Sequence, residues 1–311
     1  MYKTPVSTGL LLALALSACS GGAQSLPGTG ALTQQSAAVD RSTDVIDSTG
    51  SCGTSQVYVA DVVKNTVFIY PQGVPNPKPC GKIINNVHSP EGITVDAKGW
   101  ISVANYGNST ITEYTHYKKQ SVVTINTAAP AYDVFAGKNL ELYVAMPSIN
   151  TVAEYQGHST TLIQNLTING APYGVATDSH NNLYVSYLSN ADGMSHVEKF
   201  GPGQAKGIDT PIVLPFSGEL KLDTSNNVII GDRNNNDKIF IYPPGSGTAS
   251  SSFATAANPV YFSLDNAEAF IYISAIGSVQ VLHYPSGAPE QTMQSGLASP
   301  SGIATYPAAP L

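Results

Sequence analysis

From Gln56 onward the chain is written in short apolar runs broken by turn residues, and it holds no sustained helical period. Val57-Tyr58-Val59-Ala60 and Leu183-Tyr184-Val185-Ser186 are typical: rich in β-branched and aromatic residues and bounded by Asn, Asp, Gly and Ser. Such runs predict strands with both faces buried. Four elements recur in fixed order. The first is led by Pro and often ends in Asp, as in Pro90-Glu91-Gly92-Ile93-Thr94-Val95-Asp96 and Pro172-Tyr173-Gly174-Val175-Ala176-Thr177-Asp178. Ser299-Pro300-Ser301-Gly302-Ile303-Ala304 is a third copy, and weaker ones start at Pro130, Ser217 and Pro259.

The second element carries a central aliphatic at Val59, Val103, Val144, Val185, Ile230 and Ile273, spaced 44, 41, 41, 45 and 43 residues apart. The third ends on an aromatic at Tyr70, Tyr114, Tyr155, Phe200, Tyr242 and Tyr284, and a turn such as Tyr70-Pro71-Gln72-Gly73 follows. The fourth is a looser apolar stretch, for instance Val122 to Ile125 or Thr161 to Ile163.

Six copies of about 42 residues predict an all-β fold, a six-bladed β-propeller with four-stranded antiparallel blades. The first copy, from Gln56, lacks a Pro-led strand, and the last segment, Ser299 to Pro307, is a Pro-led strand with nothing after it. Pairing the C-terminal strand with the N-terminal blade closes a ring, whereas an open stack would need capping repeats. The pattern Pro-x-Gly-Ile-x-Val-Asp…Val-Ala-(Asp/Asn)…Ile-x-x-(Tyr/Phe), over roughly Gln56 to Pro307, resembles NHL repeats and the six-bladed propellers of gluconolactonase-like and paraoxonase-like proteins. The resemblance implies a fold shared by binders, scaffolds and hydrolases, and in the hydrolases a divalent metal over the pore held by Glu, Asn and Asp.

Composition adds an address. Lys3 precedes the apolar run Leu10 to Leu16, too short to span a bilayer, and Leu16-Ser17-Ala18-Cys19 then resembles the bacterial lipobox. Residues 1–18 are thus expected to be a signal peptide, with Cys19 lipidated. Ser20 rather than Asp after it points to the outer membrane of a Gram-negative cell. Residues 19–51, rich in Ser, Gly and Thr, are expected to be a flexible tether, and residues 52–311 the propeller. Cys52 and Cys80 are the remaining thiols in an exported chain, one before a second strand and one opening a fourth in the same blade, so a disulfide is expected. The net charge of −7 and only 14 Lys and Arg argue against nucleic acid as a partner. The expected contacts are the membrane, through the lipid, and a glycan, peptide or protein.

In such a blade the first strand begins, and the second ends, at one face. The leading-Pro region brings Glu91, Tyr132, Tyr173 and Tyr261 there. The turn after the second strand brings Asp61, Asn105, Tyr106, Tyr187, Asp232, Arg233 and Asn234 to Asn236. Tyrosines with amides and carboxylates suit flat polar ligands. Asp61, Asn105 and Asp232 are equally suited to capping their own turns. Glu91, Asn105 and Asp232 have the chemistry of Ca²⁺ ligands, but the other copies place Tyr173, Tyr261 and Ser301 at the position of Glu91, so no full ligand set is in register. The run Asp232 to Asp237 lacks the Gly of a calcium loop, and its twelfth position is Pro243. No Gly-x-Ser-x-Gly elbow occurs, and no Ser, His and Asp are placed as a triad. No catalytic residue is assigned. Three functions stay open: a binding or scaffold module, a metal-dependent lactonase or esterase, and a purely structural envelope protein.

Overall fold

The computed structural model describes residues 52–116, 121–234, 237–256 and 260–309. The expected signal peptide, Cys19, the tether, Asn235, Asn236 and Pro259 lie outside the described residues. The chain begins with β1 (Gln56–Asp61), β2 (Thr66–Pro71) and β3 (Gly81–Ile83), three strands of the first blade. The second blade is β4 (Pro90–Val95), β5 (Ile101–Asn105), β6 (Thr110–Tyr114) and β7 (Val123–Asn126). The third is β8 (Asp133–Ala136), β9 (Leu142–Met146), β10 (Thr151–Tyr155) and β11 (Leu162–Thr167). The fourth is β12 (Gly170–Thr177), β13 (Leu183–Ser189), β14 (Ser195–Phe200) and β15 (Ile208–Leu214). The fifth is β16 (Ser217–Leu222), β17 (Val228–Asp232), β18 (Lys238–Tyr242) and β19 (Ser251–Ala254). The sixth is β20 (Phe262–Leu264), β21 (Phe270–Ala275), β22 (Ser278–His283) and β23 (Pro289–Met293). The last strand, β24 (Pro300–Tyr306), returns to pair antiparallel with β1, from Gln56 opposite Tyr306 to Asp61 opposite Pro300. The sheet order β24-β1-β2-β3 completes the first blade and closes the six-bladed propeller.

The core lies between blades, which is why the strands are apolar on both faces. In β1, Val57 and Val59 pack with Tyr272, Val279 and Val281 of the sixth blade, while Tyr58 and Ala60 pack with Ile93, Val95, Ile101 and Val103 of the second. Period-two alternation therefore assigns each side chain to one neighbour or the other. The Gly of the Pro-x-Gly signature lets adjacent inner strands approach. A Cβ on Gly302 would come 2.3 Å from the Glu91 carbonyl oxygen, one on Gly92 2.7 Å from Cα of Asp133, and one on Gly174 2.6 Å from the Leu220 nitrogen.

The Asp that follows the first strand holds the turn into the second, on what is here termed the lower face. Asp96 Oδ1 accepts from the Lys98 and Trp100 amides, both at 2.8 Å. Asp178, Asp223 and Asp265 take two backbone amides each in the same way. Cys52 and Cys80 are disulfide-bonded with Cα atoms 5.2 Å apart, at a sequence separation of 28. Closing a loop of that length stabilises by about 3–4 kcal/mol on the chain-entropy model.

Candidate functional site

The inner strands begin at the upper face, and there the ladder with the second strand is repeatedly interrupted. Register shifts fall between Pro90 and Ile93, between Pro172 and Gly174, between Ser217 and Leu220, and where β24 pairs with Val59 and Asp61. A bulge re-aims the side chain it carries. Glu91, Tyr173, Glu219 and Ser301 all lie in these stretches.

Four aromatic residues gather there. Tyr132 stacks on Tyr261 with centroids 5.5 Å apart and meets the edge of Tyr173 at 5.2 Å; Tyr173 meets Phe216 edge-on at 5.4 Å. Arg233, just past β17, lays its guanidinium against three of the rings, with its central carbon 4.7 Å from the Phe216 centroid, 5.5 Å from Tyr173 and 5.9 Å from Tyr132. Its Nη1 donates to Tyr132 Oη at 3.0 Å, and its backbone amide donates to the Phe216 carbonyl at 2.8 Å. Partly desolvated cation–π contacts of this kind are worth about 1–2 kcal/mol. Tyr261 is fully buried and donates its hydroxyl to the Tyr132 carbonyl at 3.1 Å. Burial raises the Tyr132 phenol to about 12, against the pull of Arg233. Burial also raises the Glu91 carboxyl, opposed by the Tyr261 hydroxyl and the charge of Arg233.

Beside this cluster runs a groove of about 640 Å³, with Glu91, Tyr261 and Ser301 in its wall and Val62, Pro300 and Ile276 at its side. Ile276 is 95% exposed in the turn after β21. Val63, Tyr106 and Ile149 occupy the corresponding turns of the first three blades and are also exposed.

The other residues of the upper set go elsewhere. Asp61 receives the Lys64 amide on one oxygen and the Ala298 and Ser299 amides on the other, fastening the segment that leads into β24. Asn105 accepts the His88 amide at 2.9 Å and donates to Thr110 and Thr112. Asp232 accepts the Asn234 amide at 3.0 Å. All three are wholly buried and tie backbone together. Of the three residues with the chemistry of hard-cation ligands, Glu91, Asn105 and Asp232, the last two turn Oδ1 to a backbone amide. Tyr187 is buried away from the cluster, stacked on His196 and donating to Asp209 at 2.8 Å.

Below the aromatic layer lies a charged group that the repeat pattern does not announce. Lys221 is ion-paired with Glu219, and Asp133, fully buried, attracts the same ammonium. Asp133 also accepts the Val175 amide at 3.0 Å from the next blade. The signal was charge at inner-strand positions, in Tyr132-Asp133-Val134 and Glu219-Leu220-Lys221. Phe216 was the other omission, one residue upstream of the fifth copy's start; Pro215-Phe216 matches Pro172-Tyr173 in residue type.

The chain matches no protein-family model and no curated protein sequence. It is similar in fold to a chain in a crystal structure of a nidogen/laminin complex, at 14% identity and a TM-score of 0.65, over 81% of this chain and 98% of that one. A functionally unknown protein from Desulfotomaculum acetoxidans DSM 771 is similar at 16% identity and a TM-score of 0.58, over 83% and 86%. A streptogramin B lyase follows at 12% and 0.52, over 78% and 74%. At such identities the likeness shows the propeller fold and no shared chemistry.

Proposed function

We propose that this chain is an exported, lipid-anchored propeller that binds a protein or peptide partner, or a glycan, on its upper face. The observation that carries this reading is the groove beside the Arg233 cluster. Its wall combines the buried ring of Tyr261, a carboxyl group and an exposed apolar lip, with the other rings of the cluster adjacent, which is the make-up of a recognition surface. The structural neighbour from a nidogen/laminin complex supports a protein as the partner. Lipidation at Cys19 and anchoring in the outer membrane of a Gram-negative cell rest on the lipobox and on Ser20.

The test is a screen of the mature protein against peptide, glycan and envelope-protein arrays, followed by Tyr173→Ala and Ile276→Asp. Loss of binding in both variants, with unchanged circular dichroism, supports the reading. A hydrolase is the rival, since Glu91 is a carboxyl group raised by burial at the edge of an open groove. Turnover of a lactone or aryl ester that disappears in Glu91→Gln would replace the binding module with an enzyme.

A further inference from the structure

The upper end of the channel carries the Arg233 cluster and its groove, and a second cavity lies at the lower end. There the last residues of five inner strands enclose a cavity of about 220 Å³. Its walls are mainly aliphatic and aromatic, including Val95, Phe135, Leu222, Leu264, Ile303 and Ala304. The hydroxyls among them are already engaged. Thr305 donates to the Leu264 carbonyl at 2.6 Å, Ser263 donates to the same carbonyl at 3.3 Å, and Thr94 accepts the Ala136 amide at 3.4 Å. A buried water needs two to four polar partners, and these walls offer few. An apolar cavity of about 150 Å³ is enough to hold benzene.

Asp96 and Lys138 line the cavity too: Asp96 Oδ1 accepts the Lys98 and Trp100 amides, and Lys138 Nζ donates to the Ser179 carbonyl at 3.3 Å. A third charged side chain also reaches this space. Lys221 belongs to the inner strand of its blade and lines the cavity. Its side chain keeps 13% of its surface accessible. The ammonium stands 5.3 Å from the Phe135 ring centroid. Of its three donors, Glu219 accepts one. The same ammonium already faces two carboxyl groups, Glu219 and Asp133, so an anionic ligand would bring a third acid to a single cation. An uncharged acceptor brings no such repulsion.

We propose that the lower half of the channel binds a small, uncharged, mainly apolar molecule bearing one hydrogen-bond acceptor, an aryl or alkyl ketone or a comparable carbonyl compound, with its acceptor on Lys221 Nζ. Ala308 and Ala309, which follow β24, also line the cavity.

Ligand-observed saturation-transfer NMR and thermal shift on the full chain test this with acetophenone, its near-isostere isopropylbenzene, and benzoate. Acetophenone should bind saturably and raise Tm. Isopropylbenzene should bind about fivefold more weakly, the value of one lost hydrogen bond, and benzoate more weakly still. Ala304→Leu, which puts a side chain into the cavity, should weaken acetophenone binding at least tenfold. Ala309→Leu does the same from the segment after β24, where the propeller's folding is not at stake. Four results would overturn the proposal: no saturable acetophenone binding, equal affinity for isopropylbenzene, tighter binding of benzoate, or undiminished binding in both leucine variants.

Discussion

The two ends of the channel are made by the same inner strands and yet differ in every chemical respect. The upper end holds Tyr132, Tyr173, Phe216 and Tyr261 around a guanidinium, next to a carboxyl group. The lower end is aliphatic and hollow. At the upper end the inner ladder is bulged in four blades, and bulged residues escape the in-out alternation that packs a blade on its neighbours. At the lower end the ladder is regular, and side chains alternate between the axis and the neighbouring blade. Aromatic and charged side chains have therefore collected where pairing is broken, and an aliphatic cavity lies where pairing is intact. The Lys221, Glu219 and Asp133 group separates the two.

The largest effect should come from removing what both ends share. Truncation after Gly296 deletes β24, which supplies Ser301 to the groove and Ile303 and Ala304 to the cavity, and leaves β1 unpaired on its inner edge. We expect loss of cooperative unfolding in calorimetry, whereas deletion of residues 1–51 should move Tm by no more than about 2 °C. Equal midpoints for the two truncations would mean that the ring is not held by this strand.

Next in size is the divider itself. Lys221→Met strands two carboxyl groups without their cation and should cost about 3–5 kcal/mol at pH 7 in denaturant unfolding. The cost should shrink as pH falls below the ordinary values of 4.5 and 3.8, where those carboxyls are mostly protonated even in the unfolded chain. A pH-independent loss would show that packing, not charge, is what Lys221 supplies.

A smaller effect is the pH profile of the native protein. Burial raises Glu113 to about 7, opposed by Ser102, and Glu198 to about 7, helped by the charge of Asp209. Their ordinary value is 4.5. Between those limits the folded state keeps protons that the unfolded chain has released, so stability falls as pH rises from about 5 to 7. Tm should be highest near pH 5, and Glu113→Gln should flatten part of the decline. A Tm that climbs over this interval would refute the protonated state of these groups.

The smallest effect should be confined to one end. Tyr173→Ala removes one ring from the Arg233 cluster and should cost about 1–2 kcal/mol, while leaving acetophenone binding at the lower end unchanged. If that binding fell in parallel, the two ends would be coupled through the charged group between them.

Strand order, blade number and ring closure were legible in the residues, because they depend on a repeat that every blade must satisfy to bury both its faces. The central aliphatics from Val59 to Ile273 all fall in second strands, and the Pro-led segment at the C-terminus is the inner strand of the first blade. The Cys52–Cys80 bond was legible for the same reason: position in a blade sets which strand ends are neighbours. Nothing in the repeat distinguishes Asn105 or Asp232, turned into backbone amides, from Glu91, which faces the groove, and nothing separates Tyr187 from Tyr173. Those differences arise from the bulges and from which blade lies opposite, and both are relations between residues far apart in the chain. The sequence by itself determined the repeating frame, through the period at which apolar residues must recur. Only the tertiary structure decided which of the off-pattern residues meet at the axis, because a closed ring brings together side chains that no spacing along the chain relates.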